Sequence, residues 1–397
     1  MVTIDKIFHA SIVLKDIIRP TPLAKAYGIA EDCALYLKPE CLQKTGSFKL
    51  RGSGYKIAML SDEEKAKGVI ACSAGNHAQG VALAASKCGI SSLICLPDTA
   101  PISKVEATKG YGAQVCLVPG VYDDAYNKAL ELKEEHGYTF VHPFDDEYVI
   151  AGQGTIGLEI MNEMSDVDAV LVPIGGGGLI SGVACAIKSI SPHVKVYGVQ
   201  AAGAPSMYNA IHHGKMEALT SVSTIADGIA VKKPGELTYE MVKNYVDDIA
   251  LVTEDEIAAA ILALIEKQKM IAEGAGAVSV AAAMFHKFPL EGKKVVSLIS
   301  GGNIDVTSLS RVIDRGLMKS GRTTSLLIEL VDKPGQLMEV SRIIAQCGGN
   351  VISVHHERNG ETESINGCYL RLSLETRNYD HVQQITQALK DAGFKIV

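Results

Sequence analysis

The chain has 397 residues, 47% of them hydrophobic, with 38 basic against 45 acidic side chains and a net charge of −7. That length suits two or three domains, and no basic block is present to track a nucleic-acid backbone or an anionic lipid surface, which excludes both as partners. The start, MVTIDKIFHASIVLKD, lacks the build of a secretory leader, and no apolar run approaches ~18 residues, so no membrane span is expected.

In chain order, the first chemically suggestive stretch is TGSFKLRG (45–52), which sets Lys49 beside Phe48 and two residues before Arg51. A lysine becomes a Schiff-base former when its amine can lose its proton, which takes desolvation or a nearby cation. Phe48 and the small residues offer the first, and Arg51 the second. Taken alone, such a lysine is more often a solvated turn residue. Apolar, β-branched runs then recur: GVIACSA (68–74), SLICLP (92–97), QVCLVP (114–119), AVLVPI (169–174), KVYGVQ (195–200) and VVSLIS (295–300). Runs of this kind, alternating with helical segments, predict an α/β domain with parallel strands buried on both faces. The nine cysteines are odd in number, form no C-x-x-C and mostly sit inside such runs. They read as buried free thiols in a reducing compartment, the cytoplasm.

Three turns stand at strand ends. CSAGNHAQG (72–80) leads into a helix, and Ser73, Gly75, Asn76 and His77 there suit an anion such as a carboxylate, or else a capped turn with a buried histidine. PIGGGGLISG (173–182) lets Gly175, Gly176, Gly177 and Gly178 bring the main chain against a phosphate, though a flexible glycine turn has the same composition. It has neither the Walker A nor the dinucleotide spacing. SLISGGN (297–303) leaves Ser300 at a strand end, where ligands of open α/β sheets gather. TEDEIAAAILALIEKQKM (253–270) opens a helix with Thr253 and Glu256 as a capping box. An amine, a carboxylate site, a phosphate cradle and a hydroxyl together suit a phosphorylated aldehyde cofactor that condenses with a lysine and then with an amino acid.

Near residue 319 the character changes. KSGRTTS reads as a polar linker over 319–324, dividing a catalytic part, 1–318, from a small domain, 325–397. LLIELV (326–331), a helix from about Gln336 to Cys347, NVISVHHERN (350–359), GCYLRLSLET (367–376), a second helix and FKIV follow. That order is the ferredoxin-like βαββαβ unit. The pairs His212-His213 and His355-His356 point to opposite sides of an extended chain and neither reads as a metal site.

The segments KTGSFKLRG, SAGNHAQG, AGQGT, IADGIAVKKPGELTYE, EGAGA and SGGNID, from about Lys44 to Asp305, resemble in order and context the pyridoxal-phosphate enzymes of the tryptophan-synthase-β type. Within that type they are similar to the threonine (serine) dehydratases. The resemblance implies a fold-type-II catalytic domain with a smaller lobe at about 52–154 that closes over substrate. It implies that Lys49 carries pyridoxal 5′-phosphate and then acts as base, with Phe48 on one ring face and Asn76 at the ring hydroxyl. Gly175–Gly178 with Leu179 would bind the phosphate, Ser300 would meet the ring nitrogen, and Ser73, Gly75, Asn76 and His77 would hold the substrate carboxylate. A neutral hydroxyl at the ring nitrogen favours β-elimination, so L-threonine would give 2-oxobutanoate and L-serine pyruvate, each with ammonia.

Departures from relatives sharpen this expectation. Ala74 stands where related serine racemases carry a serine, which disfavours racemisation, and Gln200 with Ser206 stands where others carry acidic cation ligands, so no metal is expected there. The glycine loop lacks the threonine of cysteine-synthase relatives, which argues against β-replacement. ELVDKPGQLMEVSRII (329–344) resembles the opening of an ACT domain, with Asp332, Pro334 and Gly335 as effector-site residues and isoleucine or valine as the expected effector. A dimerising module without a ligand is the alternative. Relatives are dimers or tetramers, and a homo-oligomer is expected. Serine dehydratase or racemase activity, and a non-catalytic cofactor-binding amino-acid sensor, are the competing readings.

Overall fold

The computed structural model describes residues 2–357 and 367–397; the expected strand NVISVHHERN ends on Arg358 and Asn359, which lie outside them. The chain divides into two compact units, Met1–Asp305 and Val306–Val397. In chain order the strands of the first unit are β1 (Ala24–Lys25), β2 (Ala34–Pro39), β3 (Val69–Cys72), β4 (Ser92–Pro97), β5 (Gln114–Val118), β6 (Thr139–Phe140), β7 (Ala169–Pro173), β8 (Lys195–Ala201), β9 (Asp248–Val252) and β10 (Lys294–Ile299). They form two sheets. The larger has the order β1-β2-β10-β7-β8-β9, parallel except for β1, and the smaller is parallel with the order β5-β4-β3-β6.

Helices cover both sheets, which is why β7, β8 and β10 read as unbroken apolar runs: every residue of β7 is buried, as is all but the first of β8 and of β10. Val170, Val172 and Ile174 pack against Leu179, Val183 and Ile187 of the helix Gly178–Ile190. In the smaller sheet, Val69, Ala71 and Ile94 share a core with Ala78, Val81 and Ala82 of the helix Asn76–Lys87. Small residues let that helix lie close to its neighbour. A Cβ on Gly80 would stand 3.0 Å from the main chain of Lys49, at the start of the helix Lys49–Ala58. The capping box at Thr253 forms as expected, with Thr253 N donating to Glu256 Oε2 at 2.7 Å and Glu256 N donating to Thr253 Oγ1 at 3.3 Å.

In the second unit the helix Val306–Lys319 precedes β11 (Thr323–Val331), β12 (Asn350–Glu357), β13 (Gly367–Glu375) and β14 (Lys395–Ile396). The sheet is antiparallel with the order β12-β13-β11-β14. The helices Gln336–Gln346 and Tyr379–Asp391 cover one face through Val340, Ile344, Ile385 and Leu389. The expected linker over 319–324 takes another form. Gly321 has φ +67°, Gly321 N donates to Met318 O at 3.1 Å and Arg322 N donates to Leu317 O at 2.9 Å. That is a Schellman cap, so the polar glycine stretch ends a helix and turns directly into β11. The boundary between the units falls earlier, after Asp305.

Candidate active site

Three strand ends and one helix start converge in the first unit. Lys49 opens its helix, and the segment before it is tied to the end of β10: Phe48 N donates to Ser300 O at 3.1 Å, and Ser47 bridges Gly301. The Lys49 amine donates to Pro143 O at 2.8 Å and lies 5.2 Å from the centre of the Phe48 ring. Burial pushes it down to about 8, against an opposing pull from Glu273. Arg51 does not supply the second cation expected of it. Its guanidinium is fully buried and clamps Glu40 at 2.8 Å and Glu159 at 2.6 Å, so its charge is spent on those carboxylates.

After β3, Ser73, Ala74, Gly75 and Asn76 are half-buried, and Asn76 begins its helix. Ser73 Oγ accepts from Gly75 N at 3.2 Å. Asn76 Nδ2 donates to Glu273 Oε1 at 2.6 Å, while Asn76 Oδ1 accepts from Asn303 Nδ2 at 2.8 Å. The His77 ring turns inward and bonds Val141 O at 2.8 Å through Nε2. Burial, and then the neighbouring Lys49 charge, push its imidazole down to about 3. What His77 can offer an anion is therefore its first-turn N–H and not a charged ring.

After β7, Gly177 adopts φ +98° and Gly178 opens its helix. A Cβ on Gly176 would stand 2.4 Å from Phe144 Cγ, and one on Gly178 would stand 2.6 Å from Phe144 O. The loop is wedged against Phe144, so only glycines fit, and the first N–H groups of the helix, without intrahelical partners, give a positive cradle. A chain of hydrogen bonds fixes it. His142 Nδ1 accepts from Asp145 N at 2.8 Å, Asp145 Oδ1 accepts from Thr238 N at 3.1 Å, and Thr238 Oγ1 donates to Gly176 O at 2.6 Å. Ser300, buried at the end of β10, donates to Ala275 O at 3.2 Å.

Reading the sequence did not assign Glu273, although it opens the quoted EGAGA. Burial, and then Asp227, push its carboxyl up to about 7. The carbonyl of Pro143 was likewise unassigned, since a main-chain acceptor leaves no mark on residue type. Gln200 is fully engaged, its Oε1 accepting from Tyr208 N at 2.7 Å and its Nε2 donating to Ile174 O at 3.3 Å.

A low-pKa amine, a helix N-terminus that no side chain can enter, and a buried hydroxyl at a strand end fit a phosphorylated pyridine aldehyde. Fold and site together define a pyridoxal-phosphate-binding α/β enzyme. The family model described as pyridoxal-phosphate dependent enzyme matches residues 14–301. The L-threonine ammonia-lyase of Thermotoga maritima is 51% identical, over 100% of this chain and 99% of that one. Among solved structures, the processed form of threonine deaminase isoform 2 from Solanum lycopersicum superposes with a TM-score of 0.74 at 39% identity, covering 78% of this chain and 93% of that one. Maize serine racemase gives a TM-score of 0.75 at 36% identity, covering 80% and 98%. The chain belongs to the pyridoxal-phosphate dependent enzyme family, with the fold-type-II core and the cofactor of that family.

Proposed function

We propose that this chain is a carbon–nitrogen lyase acting on L-threonine, with L-serine as a secondary substrate and an ACT-type second domain that regulates it. It deaminates L-threonine to 2-oxobutanoate and ammonia. The observation that carries this reading is the Lys49 amine, held at about 8 in the site where the three strand ends meet. Lys49 would hold the cofactor, with Phe48 beside the ring, Asn76 at the ring hydroxyl, Ser300 at the ring nitrogen and Gly175–Gly178 with Leu179 at the phosphate. When bound, pyridoxal phosphate supplies an electron sink for the charge left at the substrate α-carbon. The N–H groups at the start of the helix Asn76–Lys87, with Ser73 and Gly75, orient the substrate carboxylate. Lys49 Nζ, near neutral pH partly unprotonated, takes the proton from the α-carbon, the β-hydroxyl leaves as water with a proton drawn from solvent, and the enamine that remains takes up one water to give 2-oxobutanoate and ammonia. Ala74, between Ser73 and Gly75, has no group to return a proton to the opposite face, which favours elimination over racemisation despite the likeness to a serine racemase.

In the second unit a cavity of about 280 Å³ is lined by Asp332, Pro334, Gly335 and Leu337, which supports an effector the size of isoleucine or valine there. Gly335, at φ +93°, caps the helix Gln336–Gln346, whose N-terminus favours a carboxylate. No described helix is long and apolar enough to cross a membrane. We place the enzyme in the cytoplasm as a homodimer or homotetramer whose smaller lobe, about 52–154, closes over substrate.

The test is release of 2-oxo acid from L-threonine, L-serine and D-serine, with and without isoleucine, by wild type and Lys49→Ala. Rapid formation of 2-oxobutanoate, reduced about 10³-fold or more in the variant, is expected. No 2-oxo acid from fully cofactor-loaded protein would overturn the lyase reading and favour a sensor.

A further inference from the structure

The histidines of β12 were not read as a metal site from their adjacency, and the structure agrees that the pair does not act together: His355 is opposite Arg371 and His356 opposite Leu370, so they face opposite sides of the sheet. His356 instead meets two donors from other strands. Cys368 on β13 lies on the same helix-covered face, one diagonal step from His356, because its cross-strand partner on β11 is the buried Leu330. Asp332 follows directly on the last residue of β11. The order β12-β13-β11 thus makes three neighbouring strands each deliver one donor to the same end of the sheet.

The ligand atoms of Asp332, His356 and Cys368 all lie within 4.8 Å of one another, the one such cluster of three among the described residues. His356 Nε2 is 3.0 Å from Cys368 Sγ. All three also line the cavity under the first turn of the helix Gln336–Gln346. We propose that these side chains form a site for one divalent transition-metal ion of the zinc class.

The donor set makes the choice of ion. A thiolate, an imidazole and a carboxylate suit borderline metals such as Zn²⁺ and are a poor set for Mg²⁺ or Ca²⁺, which take oxygen ligands. Bonds of about 2.0–2.3 Å in a tetrahedron put ligand atoms roughly 3.3–3.8 Å apart. His356 Nε2 and Cys368 Sγ, 3.0 Å apart, then open by about half an ångström, and the Asp332 carboxylate, within 4.8 Å of both, closes by no more than about 1.5 Å. Cys368 is buried and fixed, whereas Asp332 and His356 are exposed and able to adjust. On binding, the Cys368 thiol gives its proton to solvent, and the ion takes the place of the contact between His356 and Cys368. Three protein ligands leave a coordination position open toward the cavity.

The test uses the full-length holoenzyme, stripped of metal and titrated with Co²⁺ and then Zn²⁺, read by difference absorption and equilibrium dialysis. One equivalent of Co²⁺ per chain, a thiolate-to-cobalt charge-transfer band and its displacement by Zn²⁺ are expected. Cys368→Ser should abolish the band. His356→Gln, at an exposed position that leaves the core intact, should weaken binding about 10-fold or more, since loss of even an outer-shell partner costs roughly that much. Far-UV circular dichroism shows that the variants are folded, and His356→Gln keeps the test valid if Cys368→Ser is not. Absence of saturable binding, or binding that His356→Gln leaves unchanged, overturns the proposal.

Discussion

The half-buried Lys49 and the buried Glu273 shift in opposite senses for one cause, loss of water around the charged form. For Lys49 this sets the pH at which the amine is available. The rate at which cofactor-free protein takes up pyridoxal phosphate should rise with pH through a midpoint near 8 and level off about one unit above it, not continue climbing toward the 10.5 of an ordinary lysine. Stopped-flow absorbance across that range checks it, and a midpoint near 10 would sink the assignment. Glu273, raised from 4.5 to about 7, binds its proton more tightly folded than unfolded. The unfolded chain therefore ionises first as pH rises, and the stability this group contributes at low pH is lost between about 4.5 and 7. Glu273→Gln keeps an acceptor for Asn76 and removes that loss. The stability difference between cofactor-free wild type and the variant should therefore shift in the variant's favour across this window, by up to about 3 kcal/mol, read from urea melts at several pH values. Glu273 also marks where the sequence was silent. EGAGA was legible as a motif, but a carboxylate's role here depends on Asn76 Nδ2, 197 positions away in the chain and 2.6 Å away in space.

Among the elements, strands buried on both faces were the plainest to read, although β5 and β13, which are only partly covered, also match QVCLVP and GCYLRLSLET to within a residue. SLICLP coincides with β4, and AVLVPI, KVYGVQ and VVSLIS match β7, β8 and β10 to within a residue at either end, because a parallel strand between helices has no polar face to blur it. β2, ALYLKP, was passed over because it carries Lys38, a residue that rarely enters a core alone. Lys38 is buried there because Glu159 lies 2.6 Å away, and Glu159 also holds Arg51. This network anchors the helix that begins with Lys49. Arg51→Met would leave the buried Glu40 without its partner, and a loss of about 3–5 kcal/mol is expected in thermal or urea unfolding, the cost of stranding one member of a buried pair. The glycine cradle makes a separate prediction. Alanine at Gly178 must displace the Phe144 main chain, which lies 2.6 Å from the new methyl, or move the helix start. A cost of about 1–3 kcal/mol corresponds to cofactor binding weakened roughly 5- to 150-fold, measured by titrating cofactor-free protein. Unchanged binding would remove this helix start from the phosphate site.

At the scale of the whole molecule, the second unit has a hydrophobic core made from its own residues, with Ile328, Leu370, Leu372 and Leu374 of the sheet under Val340, Ile344, Ile385 and Leu389 of its helices. A sheet closed on one face by two helices meets the ordinary requirement for folding alone. The fragment Val306–Val397, beginning at the helix that the sequence assigned to the catalytic part, should therefore unfold in one cooperative transition. An effector that binds the folded fragment must raise its stability by mass action, about 2.7 kcal/mol at a hundredfold excess over Kd. For a domain of this size that corresponds to a rise in Tm of roughly 10–20 °C. Isoleucine and valine tested against alanine, by calorimetry on the fragment, distinguish a recognised side chain from a general effect of amino acids. The cavity beside Leu337 and Gly335 has apolar and main-chain surfaces to do so. A Tm that none of the three shifts would move the effector site elsewhere or leave the second unit a ligand-free module. A shift with isoleucine that is lost in Asp332→Asn, at the turn between β11 and its helix, would tie the response to that cavity.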